Sequence, residues 1–220
     1  CHQEGAAAGE RVDGEYQEVV QSYEMSIHGT GLIESGLVVT ATCTSCHTAH
    51  NELPHDDPRS SIHNDNVAET CGACHHGIEE QFKTIIHWPG IGETLDPEAE
   101  LPACNDCHTS HTISRTDRAE FRLLMMDQCG RCHLEETDTF FETFHGKVSR
   151  LGDAGAAKCY DCHGTHNILP TTAPASLLSR RNIVETCAQC HPGANRRFTG
   201  YLTHATHHDQ ERYPFLFWAF

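Results

Sequence analysis

Residues 43–50 read Cys-Thr-Ser-Cys-His-Thr-Ala-His. Two thiols three positions apart with an imidazole directly after the second make a CxxCH pattern, and a further histidine follows three residues on. The pattern recurs at Cys71/Cys74/His75, Cys104/Cys107/His108, Cys129/Cys132/His133, Cys159/Cys162/His163 and Cys187/Cys190/His191, so six motifs take up twelve of the thirteen cysteines. CxxCH is the attachment pattern of a c-type haem. The spacing follows from the chemistry: two thiols must reach two vinyl groups on one side of a porphyrin, while the next residue sets its imidazole beneath the iron. Zinc ribbons and disulfide frameworks also pair cysteines, but neither demands a histidine after the second cysteine every time. The expected cofactors are therefore six covalently bound haem c groups. The thioether positions are Cys43, Cys46, Cys71, Cys74, Cys104, Cys107, Cys129, Cys132, Cys159, Cys162, Cys187 and Cys190. The proximal iron ligands are His47, His75, His108, His133, His163 and His191.

The motifs sit in an internal repeat. Asn66–Cys71 reads NVAETC and the stretch 116 positions later, Asn182–Cys187, reads NIVETC. Half that shift, 58, separates Cys71, Cys129 and Cys187, and His28, His87 and His145 follow at 59 and 58. The other three motifs carry the additional histidine, in CTSCHTAH, CNDCHTSH and CYDCHGTH, which makes His50, His111 and His166 a second equivalent set. The expected organisation is a tether and helix over 1–27, di-haem repeats over 28–86, 87–144 and 145–203, and an aromatic tail over 204–220.

Six irons need six more axial ligands, and the two repeating sets supply that number: His28, His50, His87, His111, His145 and His166. Met25, Met125 and Met126 occupy no repeating position, so bis-histidine ligation is expected throughout. Residues three apart lie side by side on a turn, whereas axial ligands approach one iron from opposite faces. His50, His111 and His166 are therefore expected to reach a neighbouring haem and not the one attached beside them. His204 continues the rhythm of His28, His87 and His145, and is expected to open a fourth unit or to ligate a haem of another subunit. His55, His63 and His76 have no repeating equivalents and are assigned to solvent or propionate contacts.

Composition agrees with a cofactor-rich interior. Only 38% of the 220 residues are hydrophobic and 7% aromatic, thin for a self-sufficient apolar core, while the 19 histidines are far above ordinary usage. The net charge of −16 argues against nucleic acid as a partner. Periodicity predicts helices over 15–27, 78–87, 118–128, 137–148 and 196–207 and no alternating strand. Loops such as LPHDDP and LPTTAP join them. The fold class expected is mainly α with extensive loops and low secondary-structure content, built on a haem array with three repeats of about 58 residues.

The CxxCH array, the CxxCHxxH variants and the SIHG and TFHG histidines at residues 26–29 and 143–146 resemble the bacterial multihaem cytochromes c of the electron-conduit kind. The resemblance spans about residues 26–208. His208–Phe215, HDQERYPF, is similar to the junction at which some family members continue into a quinone-linked membrane cytochrome b; other members form extracellular filaments. The resemblance implies a hexahaem protein that relays electrons between extracytoplasmic redox partners, a donor and an acceptor. Those partners include a quinone-linked membrane cytochrome or neighbouring cytochrome subunits. The competing class is a multihaem reductase with an open haem site. Family reductases of nitrite typically carry CxxCK at the catalytic haem, which none of the six motifs does. Covalent attachment of haem c occurs outside the cytoplasmic membrane, so the expected location is periplasmic or extracellular, with or without membrane association. Cys1 has two readings: a lipidated cysteine followed by a GAAAGE tether, which would supply a lipid anchor, or the end of a seventh CxxCH formed with His2. On the motif count, the intact mass should exceed that of the polypeptide by six haems; bound zinc or disulfides in their place would remove the basis of the assignment.

Overall fold

The computed structural model describes residues 18–91, 100–200, 203–208 and 210–219. Among these residues it is mainly helical, with no strand. The helices are α1 (Val19–Met25), α2 (Ile27–Ile33), α3 (Cys43–His47), α4 (Asn64–Gly72), α5 (His76–Phe82), α6 (Cys104–His108), α7 (Ala119–Gly130), α8 (Leu134–Glu142), α9 (Phe144–Arg150), α10 (Cys159–His163), α11 (Ile183–Ala188) and α12 (Pro214–Ala219). The longest has 12 residues and three have five, too short to hold themselves together without tertiary partners.

Two of the expected helices are broken in the same way. The segment predicted over 15–27, of which 15–17 lie outside the described residues, ends as α1 at Met25, and α2 starts at once. Ser26, extended at φ −70° and ψ 166°, accepts from the Gly29 amide through its hydroxyl, making it the N-cap of α2. The segment predicted over 137–148 divides at Thr143, extended at φ −76° and ψ 165°, whose hydroxyl accepts from the Gly146 amide at 3.1 Å. Helical periodicity runs through both joints and therefore hides them. Each cap turns the chain so sharply that the glycine three residues on rests against the preceding helix. A Cβ on Gly29 would run into the Tyr23 carbonyl oxygen, and one on Gly146 into that of Phe140. SIHG and TFHG are thus one local structure, in which the cap and the glycine fix a histidine on the first turn of a new helix. The helix expected over 196–207 does not form. Among its described residues only a 3₁₀ turn, Phe198–Gly200, is regular, and Gly200 with β-branched Thr199 and Thr203 accounts for the weak helical tendency.

The 116-residue repeat is reproduced at the level of individual hydrogen bonds. The Asn66 amide donates to the carbonyls of Pro58 and Ser60, and Asn182 to those of Pro174 and Ser176. Thr70 and Thr186 hydroxyls tie α4 and α11 to Ser61 and Leu177.

The chain forms two compact units, one from the described parts of 1–80 and 100–118, the other from those of 81–99 and 119–220. Each contains three CxxCH motifs. The units are interleaved in sequence. Apolar packing is sparse: Met126, Phe140 and Phe141 form a small buried cluster with Leu123 and Cys159 against it. Lys158 is fully buried, its ammonium donating to Ser149 Oγ and to the carbonyls of Asp153 and Ala156.

Gly146→Ala should lower stability by about 1–3 kcal/mol, since the added methyl meets backbone and cannot be relieved by a rotamer change. Thr143→Ala should cost about 1 kcal/mol through the lost cap. Thermal unfolding followed by circular dichroism checks both, and an unchanged transition in the glycine variant would contradict the close approach.

Candidate metal centres

The six CxxCH motifs take two local forms. In the first form the motif is itself a five-residue helix, α3, α6 or α10. Its third residue reaches back to the amide just before the first cysteine: Ser45 Oγ accepts from Thr42, Asp106 Oδ2 from Ala103 and Asp161 Oδ2 from Lys158, at 3.0, 2.7 and 2.8 Å. The following residue then takes a positive φ, 66° at Thr48, 65° at Thr109 and 93° at Gly164. That conformation is rare for a β-branched residue and turns the chain away from the helix. In the second form the first cysteine closes a longer segment. The histidine amide bonds back to that cysteine's carbonyl, His75 to Cys71, His133 to Cys129 and His191 to Cys187, at 2.9–3.0 Å. No described cysteine is in a disulfide. Among the described residues the only group of three or more ligand atoms gathered within 4.8 Å is His76, Glu79 and Glu80, so no cysteine pair converges on a second pair as a zinc ribbon requires.

His47, His75, His133, His163 and His191 each face one other histidine. The pairs and their ring-centroid separations are His28–His75 at 6.3 Å, His47–His111 at 6.0 Å, His87–His133 at 6.2 Å, His145–His191 at 5.9 Å and His163–His204 at 6.2 Å. Metal–nitrogen bonds of about 2 Å on opposite sides of one iron put two imidazole centroids about 6 Å apart. The contrast is His207–His208, neighbours in sequence whose centroids are only 3.8 Å apart, with no room for an atom between.

Three further features fit ligand histidines. Burial, and then the charge of the facing imidazole, holds His28, His87, His111, His145 and His163 below the ordinary histidine range, favouring the neutral ring that a metal takes. Burial does the same at His204, against a smaller opposing pull from the Glu136 carbonyl. His204 Nδ1 lies 3.0 Å from that carbonyl oxygen and 3.2 Å from Thr139 Oγ1, an arrangement that fixes the ring and leaves Nε2 for a metal. The buried Asn105 Oδ1 and Tyr160 OH, at equivalent positions inside CNDCH and CYDCH, have no hydrogen-bond partner among the described residues.

Successive motifs meet within each unit. Cys71 and Cys104 share a thiol hydrogen bond that pushes Cys71 up and Cys104 down, and Cys129 and Cys159 do the same. Burial and then the neighbouring Cys187 push Cys162 up to about 11, while burial, Cys43 and Cys74 raise Cys46. The Cys71–Cys104 and Cys129–Cys159 contacts join motifs 33 and 30 residues apart in sequence.

His28, His87, His111 and His145 each face a motif histidine, and neither His47 nor His163 pairs with the histidine three residues after it. His204 faces His163 of this same chain and lies against Glu136 and Thr139 of α8. His166 is half-buried and held below its usual range by burial, while His50 is exposed. His63 is the N-cap of α4, its Nδ1 accepting from the Asp65 amide at 3.3 Å. Met125 and Met126 are buried among side chains of the core, and Met25 is exposed. Cys1 and His2 lie outside the described residues. No family model, curated protein or solved structure matches the chain.

When the six motifs carry haem, His204→Ala should leave all thioether bonds intact but make one iron high-spin and reactive to carbon monoxide, and that iron should be the one on Cys159 and Cys162. His111→Ala should act likewise on the iron of Cys43 and Cys46. Intact mass, electron paramagnetic resonance and the carbon monoxide difference spectrum read the result; an altered iron beside the mutated residue itself would refute the cross-pairing.

Proposed function

We propose that this chain is a hexahaem c-type cytochrome that relays single electrons along closely spaced bis-histidine haems between extracytoplasmic partners. The observation that carries the proposal is the facing of five CxxCH histidines by five others at 5.9–6.3 Å. Bound haem would supply a one-electron Fe(III)/Fe(II) couple; the paired histidines would hold both axial positions, which would favour outer-sphere transfer over substrate binding at iron. The reductase alternative needs an open coordination position, whereas irons at His47, His75, His133, His163 and His191 would each meet a second imidazole. Shared thiol contacts between successive motifs support short edge-to-edge distances within each group of three. The small apolar core is consistent with cofactors filling part of the interior, as small cores generally require additional staples.

The partners proposed are a redox donor and acceptor, with a quinone-linked membrane cytochrome or neighbouring cytochrome subunits as candidates, in the periplasm or at the cell exterior. No described helix is long and apolar enough to cross a membrane. Phe215 and Trp218 on α12 are exposed, in keeping with attachment to a membrane-associated partner. The net charge of −16 favours a basic redox partner.

Two measurements test the function. The fully reduced protein should give no rapid carbon monoxide adduct, whereas a stoichiometric adduct at one haem would favour the reductase. Its oxidation by a basic monohaem cytochrome should slow by about tenfold or more between low ionic strength and about 0.5 M salt, as screening shortens the reach of the attraction. A salt-independent rate would place the docking surface elsewhere than on the acidic charge.

A further inference from the structure

One buried charge lies outside the histidine pairs. Lys158 is fully buried, and its ammonium donates to Ser149 Oγ at 3.1 Å, to the Asp153 carbonyl at 2.8 Å and to the Ala156 carbonyl. The Ser149 hydroxyl donates onward to the Ala157 carbonyl, so its oxygen is the acceptor for Lys158. Three acceptors need three N–H groups, which only the charged form of lysine provides. Burial, and then Arg122, draw the ammonium below the ordinary lysine range, while Asp161 and Asp153 oppose them. Loss of the proton would leave one buried acceptor facing a lone pair, a costly arrangement.

Among the described residues no carboxylate bonds to this ammonium. Asp161 lies 3.1 Å from the Arg122 guanidinium and accepts from the Lys158 backbone amide, not from its side chain. Asp153 is exposed, and its carboxylate accepts from the Gly155 amide. The other cations of α9, Lys147 and Arg150, are exposed, so solvent screens them. Lys158 is therefore a fixed positive charge held away from water.

The charge lies beside one axial position. Ser149 stands one turn after His145 on α9, and residues four apart share a helix face, with Cβ atoms about 5–6 Å apart. The ammonium bonded to Ser149 is thus on the His145 side of α9, and His145 faces His191 at 5.9 Å. Burial, His191 and then the Lys158 charge hold the His145 ring below the histidine range. The Cys159 thiol, in the neighbouring motif, lies within reach of the same charge. The equivalent histidine of SIHG has no such neighbour. Leu32 stands four residues after His28 in the place of Ser149, and Thr42 precedes Cys43 in the place of Lys158. The same local structure forms there without a lysine, so the fold of the repeat does not require one.

We propose that Lys158 raises the reduction potential of the haem iron held between His145 and His191, so that electrons settle on it in preference to the equivalent iron between His28 and His75. The inference rests on the hexahaem reading above. Reduction lowers the positive charge at an iron by one, so a nearby cation favours Fe(II) over Fe(III). A unit charge about 10 Å from a redox centre, at an effective dielectric constant of about 20, changes the one-electron equilibrium about tenfold. The repeating ligands alone give the relay no preferred end; Lys158 supplies one.

The test reads one iron at a time in the haem-loaded protein. His145→Ala opens the iron of Cys187 and Cys190 and turns it high-spin, so its paramagnetic resonance signal in a potentiometric titration reports that iron alone. In this background Lys158→Gln keeps two N–H donors and removes the charge. It should make reduction about tenfold less favourable, a fall of about 59 mV in the midpoint. Lys158→Arg keeps the charge and should change the same equilibrium less than about twofold. A fall below about threefold in Lys158→Gln, or an equal fall in Lys158→Arg, overturns the proposal while the hexahaem function stands. If Lys158→Gln fails to load its haems, the midpoints of His145→Ala and His28→Ala decide. The high-spin iron of His145→Ala should be the more readily reduced, and equal or reversed midpoints overturn the proposal. A His145→Ala protein with no high-spin iron at Cys187 refutes the His145–His191 pairing and the proposal with it, and a parent mass without covalent haem removes the function itself.

Discussion

A histidine facing a histidine across about 6 Å is the contact on which the arrangement of this chain turns. Each of the five observed pairs joins segments 41 to 64 residues apart in sequence. The helices between them are short, and the buried apolar cluster is small. The secondary structure therefore serves the pairs: capped first turns at Ser26 and Thr143 present His28 and His145, and five-residue helices with self-capping third residues present His47 and His163. An iron between each pair would convert a set of loosely packed loops into a cross-linked body, with ligation replacing much of what side-chain burial contributes in an ordinary domain.

The separation of roles between neighbouring histidines has a simple backbone cause. Thr48, Thr109 and Gly164 all sit at positive φ with ψ near 180°, a region that costs a non-glycine residue on the order of 1–3 kcal/mol. Keeping threonine at two of these positions is informative, because the turn they make points the next histidine away from its own motif. On the proposed reading this strain is what links irons to one another, since a relaxed helical continuation would stack His47 and His50 on one face of one porphyrin.

Part of the pairing was legible in the sequence: the 58-residue rhythm and the doubled histidines mark out His28, His87, His111 and His145, each of which faces a CxxCH histidine. Legibility failed where three-dimensional closure decides. His204 fits the rhythm but belongs to His163, and only the turn at Phe198–Gly200 and the carbonyl of Glu136 show why. The breaks at Ser26 and Thr143 were invisible to periodicity, since apolar spacing continues through a cap; the serine or threonine followed three residues later by glycine was the readable signal. The grouping of motifs by threes left no trace in the repeat, because contact between loops is not periodic in sequence.

The pairs also differ in direction along the chain. His28, His87 and His145 precede the motifs they face, whereas His111 and His204 follow theirs. If haem is attached as the chain emerges, the irons of Cys71, Cys129 and Cys187 have both ligands on hand from the outset. Those of Cys43 and Cys159 must wait, five-coordinate, until a later stretch arrives. Maturation would then have an early and a late class of site, and the late class would be the interval in which a foreign ligand or dioxygen could intrude.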